Sequence, residues 1–220
     1  MPLIGTAAIP GGGELRLLRD GEHYVIKLAD GGDLMSTRMH GSEDALAELS
    51  CARIAARSQA KVLIGGLGMG FTLAAALRAL RDDARVTVAE LVPGVVEWNR
   101  GELGEPAGKP LADARTQVLA GVVRALLKKQ RDAWDAILLD VDNGPDGLTQ
   151  DSNSWLYAKP GLAAAHAALR AGGVLAVWSA HPDSAFSTRL RQADFAVEEV
   201  PVRAHGKRGL RHRIWLATRQ

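Results

Sequence analysis

Short apolar runs alternate with amphipathic stretches along the chain from about residue 61 onward. An apolar run such as VLIG or AILLDV fits a buried strand, and a following segment such as FTLAAALRAL has the spacing of a helix. Near-continuous apolar strands that alternate with helices are typical of a parallel sheet covered on both faces. The pattern therefore predicts an α/β fold with a Rossmann-like, doubly wound and mostly parallel sheet. The last two runs, FAVEEVPV and RHRIWLATR, predict an antiparallel hairpin at one edge of this sheet.

The N-terminal part of the chain has a different pattern. The runs ELRLLR, HYVIKLA and DLMSTRM are short, and Asp-Gly pairs at residues 20–21 and 30–31 separate them. Asp-Gly pairs between apolar-rich runs are turn sequences of antiparallel strands. We therefore expect a small N-terminal β-meander over residues 1–41 and an α/β domain over residues 42–220.

A helix is predicted to connect these two parts. Ser42 is interpreted as its N-cap, because Glu43 and Asp44 follow in what would be the first turn. The apolar face of this helix is expected to carry Ala45, Leu49, Ala52 and Ala56.

Composition limits the classes of protein that fit. With 220 residues, 47% hydrophobic and 24% charged, the chain is long enough for one ordinary core. A net charge of +2 is too balanced to indicate a nucleic-acid partner. No apolar run is long enough to span a bilayer and the start MPLIGTAAIPGGG does not read as a signal peptide, so we expect a cytoplasmic protein without a membrane partner. The single cysteine, Cys51, excludes an internal disulfide and is expected to be buried.

A glycine-rich turn follows the first strand of the alternating set. Gly66, Gly68 and Gly70 give the pattern G-x-G-x-G, and Phe71 stands where the dinucleotide fingerprint needs another glycine. Ligands of doubly wound sheets bind at the carboxyl ends of the strands, where this turn lies. The turn fits a nucleoside such as S-adenosylmethionine, whose sugar and tail lie over bare backbone. The alternative is tight packing between the strand and the helix.

Glu90 ends the next predicted strand, twenty residues after Gly70. A carboxylate at this place offers two oxygens to the vicinal hydroxyls of a ribose. The alternative is an ordinary solvated carboxylate at a strand end. The glycine turn and the acid together indicate a bound adenosine.

An acidic loop follows the fourth parallel strand. Asp140 ends that strand, and Asp142, Asn143 and Asp146 come after it. These groups are expected to face the same cleft as the glycine turn, and several carboxylates together fit a cationic ligand. A divalent metal is the weaker interpretation, since no histidines with ligand spacing accompany the acids, and no metal is expected.

The order and spacing of these motifs resemble those of the spermidine synthase family of polyamine aminopropyltransferases, a branch of the class I methyltransferase fold. VLIGGLGMG stands where that family has an IGGGDGG turn, and TVAEL where it has a strand that ends in Glu. ILLDVDNGPDG stands where the family has a D-x-x-D-P-x-G-P loop. The N-terminal meander resembles a shortened form of the family's small β domain. The resemblance covers most of the chain.

This resemblance implies a transferase that moves an aminopropyl group from decarboxylated S-adenosylmethionine to a diamine such as putrescine, releasing methylthioadenosine. It implies that Asp140 orients the attacking amine and takes its proton, and that Glu90 holds the ribose hydroxyls. It also implies a homodimer, since the meander and the edge hairpin can both pair across a two-fold axis. The other residues assigned to the site are Gly65, Gly66, Gly68 and Gly70 for the nucleoside, and Asp142, Asn143 and Tyr157 for the amine.

The chain departs from the family pattern at several positions. Gly68 stands where the family's turn has an aspartate that contacts the donor amine, and Asn143 stands at the second loop aspartate. Two alternatives therefore stay open: a methyltransferase that uses intact S-adenosylmethionine, and a non-catalytic nucleoside- or polyamine-binding homologue. Tyr157 also fits simple aromatic packing under the loop. His40 and Glu43 lie near a His-Glu pair of the family's amine site, but out of register by one or two residues, so neither is assigned a role.

Overall fold

The computed structural model of the protein describes residues 1–141, 154–205 and 208–220, with the backbone alone at positions 33, 205 and 208–210. These residues form an antiparallel sheet of four strands and a mostly parallel sheet of seven strands. The predicted fold class is therefore confirmed. No helix in these described ranges is long and apolar enough to cross a membrane.

The N-terminal sheet follows chain order, with its strands at Leu3–Ala8 (β1), Glu14–Asp20 (β2), His23–Leu28 (β3) and Asp33–Ser36 (β4). The last three are the predicted meander. Strand β1 has no counterpart in the sequence-based prediction, because Ala7 is its one buried residue and it shows no apolar alternation. The domain boundary after residue 41 stays a prediction.

The seven-stranded sheet has the order β10-β11-β9-β8-β5-β6-β7. Strands β5 to β9 pair in parallel, and β11 runs antiparallel to both β9 and β10, so the predicted hairpin occupies one edge. The strands are Lys61–Gly65 (β5), Arg85–Glu90 (β6), Thr116–Ala120 (β7), Trp134–Leu139 (β8), Leu169–Ser179 (β9), Phe195–His205 (β10) and Arg208–Arg219 (β11).

Helices cover both faces of this sheet. Neighbouring residues of β5 show the division: Ile64 packs into the core shared with the meander, and Leu63 packs into the core on the opposite face. The helices are Gly41–Arg53 (α1), Phe71–Ala79 (α2), Pro93–Arg100 (α3), Val123–Lys129 (α4), Ser154–Tyr157 (α5), Lys159–Ala168 (α6) and Ser184–Gln192 (α7).

Helix α1 corrects two details of the prediction. His40 rather than Ser42 occupies the cap position, and no side chain caps the helix. The buried face is offset from the predicted one, because α1 packs against α2 on one side and against strands β9 and β10 on another. The burial expected for Cys51 is confirmed. The buried residues of the helix are Ser42, Leu46, Ala47, Ser50 and Cys51.

Candidate active site

Three of the predicted motifs meet at one end of the parallel sheet. Strand β5 lies between β6 and β8, and the chain leaves β5 toward β6 and later returns on its other side at β8. This reversal of strand order opens a crevice at the carboxyl ends of the strands. The glycine turn after β5, Glu90 at the end of β6 and Asp140 after β8 all lie at these ends.

Packing explains most of the glycines in the turn. Gly66 and Gly70 have φ values of +88° and +83°, which favour glycine. A Cβ on Gly66 would lie 2.5 Å from the carbonyl oxygen of Asp140, and one on Gly70 would lie 2.7 Å from Oδ1 of Asn99. A Cβ on Gly65 would press on the side chains of β8 and α4 at 3.2 to 3.3 Å. The strand–helix packing that the sequence left as an alternative is therefore present, and nucleoside contact stays a prediction.

Gly68 differs from the other three glycines because it faces a cavity. Its φ is +51°, and a Cβ there would meet Sδ of Met35 at 3.3 Å. The Nδ2 group of Asn99 donates hydrogen bonds to the carbonyls of Gly68 and Val95, both at 2.9 Å. Asn99 thereby ties the turn to helix α3, a role that no motif in the sequence signals.

Glu90 is buried, so the interpretation as a solvated strand end is wrong. Its Oε2 accepts a hydrogen bond from the backbone N–H of Leu67 at 2.8 Å, and its Oε1 accepts one from Val92 at 2.7 Å. Burial raises the pKa of this carboxyl, while the backbone hydrogen bonds lower it. The backbone N–H groups of Leu91 and Gly68 contribute further hydrogen bonds, so Glu90 joins the glycine turn to the start of α3.

A cavity of about 200 Å³ lies beside the glycine turn. Polar and apolar atoms contribute about equally to its wall, and two carboxylates, Asp140 and Glu43, line it. The described residues that line it are Leu34, Met35, Glu43, Leu67, Gly68, Met69, Phe71, Thr72, Asp140 and Trp178.

Asp140 is held by the helix that follows the glycine turn. The hydroxyl of Thr72, in the first turn of α2, donates a hydrogen bond to Oδ2 of Asp140 at 2.6 Å. Burial raises the pKa of Asp140, and the Thr72 bond opposes this only in part. A carboxylate with a raised pKa is a stronger base than an exposed aspartate.

Glu43 is the second carboxylate of the cavity, and it comes from α1. Its Oε2 accepts a hydrogen bond from the hydroxyl of Ser42 at 2.7 Å. Burial, and next the negative charge of Asp140, raise the pKa of Glu43 to about 7. The two carboxylates therefore repel each other, and a cation between them would stabilise both.

Trp178 forms part of the cavity wall on the side of β9. The ring of His212, on β11, stacks on it with centroids 4.8 Å apart. Burial lowers the pKa of His212, with a smaller contribution from the nearby His181, so the imidazole is neutral at pH 7. This wall adds no positive charge to the cavity.

Known proteins resemble the chain in structure rather than in sequence. Neither a family model nor a curated protein sequence matches the chain. A solved structure of spermidine synthase in complex with the transition-state analogue AdoDATO matches with a TM-score of 0.78 and 19% identity, over 99% of this chain and 74% of the other. The chain has the spermidine synthase fold.

Two further solved structures share this fold. Spermidine synthase from Thermotoga maritima matches with a TM-score of 0.77 and 19% identity, over 99% of this chain and 73% of that one. A probable spermidine synthase from Corynebacterium glutamicum matches with a TM-score of 0.67 and 16% identity, over 100% of this chain and 81% of that one. The resemblance inferred from the motifs is thus confirmed for the architecture, methyltransferase-like sheet included.

Of the three residues assigned to the amine from the spermidine synthase pattern, the structure describes only Tyr157. Tyr157 is buried under the end of β8, where its hydroxyl donates a hydrogen bond to the carbonyl of Val141 at 2.9 Å. Its ring packs edge-on against Phe186, with centroids 5.9 Å apart, and it does not line the cavity. Its substrate contact stays a prediction. Asp142 and Asn143 lie outside the described residues.

The sequence analysis gave no role to Thr72 and Glu43, the other polar side chains of the cavity lining, and interpreted Ser42 only as a helix cap. Thr72 and Ser42 are ordinary residues at helix starts, and their contacts depend on tertiary packing. Glu43 lies near the position of the family's His-Glu pair in the sequence. It was not assigned a role because it is out of register with that pair by one or two residues.

Proposed function

We propose that the protein is an aminopropyltransferase that moves the aminopropyl group of decarboxylated S-adenosylmethionine to an amine such as putrescine. The observation that carries the proposal is the pair of carboxylates, Asp140 and Glu43, in a small cavity with a partly apolar wall beside the glycine turn. A shared fold with spermidine synthases, one of them solved with the analogue AdoDATO, supports the same reaction.

The cavity suits an alkylamine because its charge and its walls match the two parts of such a molecule. Two carboxylates without a cation repel each other, and an ammonium group relieves this repulsion through charge-assisted hydrogen bonds. The methylene groups of the amine find apolar neighbours in Met35, Phe71 and Trp178. A neutral or acidic acceptor would leave the carboxylates unpaired.

Asp140 takes the proton that the acceptor must lose before it reacts. An ammonium has no free lone pair, so the attacking nitrogen must first be neutral. Its lone pair then forms a bond to the methylene carbon next to the sulfonium sulfur. The carbon–sulfur bond breaks with its electrons going to sulfur, and neutral methylthioadenosine leaves. Since the sulfonium is already an activated leaving group, the protein supplies placement and a base.

The nucleoside belongs beside the cavity, along the glycine turn and Glu90. In this proposal Gly65, Gly66, Gly68 and Gly70 line the nucleoside, and Glu90 accepts hydrogen bonds from both ribose hydroxyls. Asp142 and Asn143 are proposed to contact the amine. A homodimer in the cytoplasm completes the proposal.

Calorimetric titrations with three ligands in parallel test the donor: decarboxylated S-adenosylmethionine, intact S-adenosylmethionine and methylthioadenosine. The proposal expects the decarboxylated donor to bind more tightly than the intact one. If none of the three binds, the glycine turn is a packing feature alone and the proposal is wrong.

A methyltransferase is the second candidate, and one observation favours it. The turn residues that face the cavity, Leu67, Gly68 and Met69, carry no charge. The turn therefore offers no side-chain carboxylate to the amine of a decarboxylated donor. Tighter binding of intact S-adenosylmethionine in the same titrations would select this candidate.

A further inference from the structure

The two carboxylates of the cavity come from elements far apart in the chain. Glu43 lies in the first turn of α1, and Asp140 directly follows β8. Both line the same cavity of about 200 Å³. None of the described residues that line it is a lysine, an arginine or a histidine. The fold thus brings two acids to one space and provides no cation from the described lining to neutralise them.

Each carboxylate accepts one hydrogen bond from a hydroxyl group, and the side chain of Glu43 also accepts one from its own backbone N–H. Thr72 donates to Oδ2 of Asp140, and Ser42 donates to Oε2 of Glu43. Within the described part of the chain, Oδ1 of Asp140 and Oε1 of Glu43 accept no hydrogen bond from another residue. Two oriented carboxylates in one cavity offer several acceptor lone pairs to the N–H donors of a single ammonium group.

We propose that Glu43 and Asp140 act together as one proton acceptor, which binds the ammonium group of the acceptor amine and takes the proton that this group must lose. This inference rests on the proposed aminopropyl transfer and adds Glu43 to the groups that touch the reacting nitrogen. Two carboxylates that line one cavity, where the charge of Asp140 raises the pKa of Glu43, titrate as a unit, so the proton belongs to both.

The proton moves twice in this scheme. Before the amine binds, the pair holds one proton part of the time at neutral pH, since the pKa of Glu43 is about 7. The incoming ammonium displaces this proton to solvent. In the reaction one N–H proton passes from the ammonium to the pair, and the nitrogen lone pair then attacks carbon as sulfur leaves. The new secondary ammonium carries the positive charge that the sulfonium loses.

Among the residues that the structure describes, few other charged groups act on Glu43. Asp44, on the same helix, raises its pKa slightly and is itself paired with His40 at 2.7 Å and with Arg78 at 3.3 Å. From β11, His212 lies behind Trp178 and is neutral at pH 7. Asp140 is therefore the main charged partner of Glu43.

Titration calorimetry with putrescine at pH 7 tests the pair without requiring turnover. The protein, saturated with methylthioadenosine, is titrated in two buffers that differ in ionisation enthalpy, which gives the number of protons released. The variants are Glu43→Gln, which keeps the shape of the side chain, and Glu48→Gln, an exposed control on the same helix.

We expect the native protein and Glu48→Gln to release a fraction of a proton for each putrescine bound. Glu43→Gln should lose this release and bind putrescine on the order of tenfold more weakly, as for the loss of a charge-assisted hydrogen bond. Unchanged affinity and unchanged proton release in Glu43→Gln would overturn the inference.

Transfer assays separate this inference from the proposed function. If the native protein transfers the aminopropyl group, Glu43→Gln should lower kcat and move the acid limb of the kcat/KM profile to lower pH. If Glu43→Gln has the native pH profile and kcat, Glu43 takes no part in the mechanism, and the proposed function still holds. If putrescine binding depends on Glu43 but no donor supports transfer, the proposed function is wrong and the pair is an ammonium site alone.

Discussion

Asp140 and Glu43 each accept one hydrogen bond from a hydroxyl group, and neither has a cationic partner among the described residues. A hydroxyl orients a carboxylate without neutralising it, so burial still raises the pKa of both groups. The position of Asp140 at a strand end could be predicted from sequence. Its partner Thr72 could not, because their contact joins α2 to the end of β8 and no local pattern marks it.

Glu43→Gln is expected to stabilise the protein at pH 8. The pKa of Glu43 lies near 7 in the folded protein and near 4.5 in the unfolded chain, so the folded state binds more protons between these values. The free energy of unfolding of the native protein therefore falls as pH rises from about 4.5 through 7. The variant avoids this loss and should be more stable at pH 8 by on the order of 1–3 kcal/mol.

Urea unfolding of native protein, Glu43→Gln and Glu48→Gln at pH 4 and pH 8 measures this difference. The stabilities should converge at pH 4, where the folded native protein carries a protonated Glu43. A Glu43→Gln protein that is less stable than native at pH 8 would show that the ionised carboxylate has a compensating partner.

Thr72→Val is expected to lower the rate of transfer about tenfold or more, by removing a charge-assisted hydrogen bond to Asp140. Valine keeps the shape of threonine, and Thr72→Ser keeps the hydroxyl, so the serine variant should retain the native kcat. Steady-state kinetics of the three proteins checks this. Equal loss in both variants would assign Thr72 a packing role only.

Elements with a regular apolar pattern could be predicted from the sequence. Elements whose buried face is set by the neighbouring helices and strands could not. The alternation of strands and helices from β5 onward was predictable, because near-continuous apolar runs are typical of parallel strands that are buried on both faces of a sheet. Helix α1 starts at Gly41 with its buried face offset from the predicted one, since its environment is shared between α2 and the sheet. Strand β1 carries too few buried residues to produce a pattern.

An alanine at Gly66 tests how tightly the glycine turn is packed. Gly66→Ala should cost more than about 2 kcal/mol, because a left-handed φ is unfavourable for alanine and its Cβ would also clash with the Asp140 carbonyl. Gly108 has a comparable φ of +76°, but a Cβ there would meet no atom within 4 Å, so Gly108→Ala should cost only about 1 kcal/mol. Equal costs in thermal or urea unfolding would show that the turn relaxes around the methyl group.

In the whole molecule, the two sheets contribute to one cavity. Leu34 and Met35 belong to the N-terminal sheet, Trp178 belongs to strand β9 of the large sheet, and Asp140 directly follows its strand β8. The sequence predicted both sheets and placed the glycine turn near the reversal of strand order. It did not predict that the meander closes the cavity wall, because a contact between two sheets leaves no periodic signal in either one.

We expect the protein to form a homodimer. Size-exclusion chromatography with light scattering should give twice the mass of the 220-residue chain. A single monomer peak across the concentration range would contradict it and leave the edge strands without a partner copy.

The formation of spermidine from decarboxylated S-adenosylmethionine and putrescine, followed by mass spectrometry, tests the central claim most directly. The native protein should form one methylthioadenosine for each spermidine. Asp82→Asn, a control at an exposed position, should do so at the native rate. Asp140→Asn should abolish transfer and still bind methylthioadenosine. If the native protein forms no spermidine, or if Asp140→Asn matches it, the assignment of aminopropyl transfer to this cavity is contradicted.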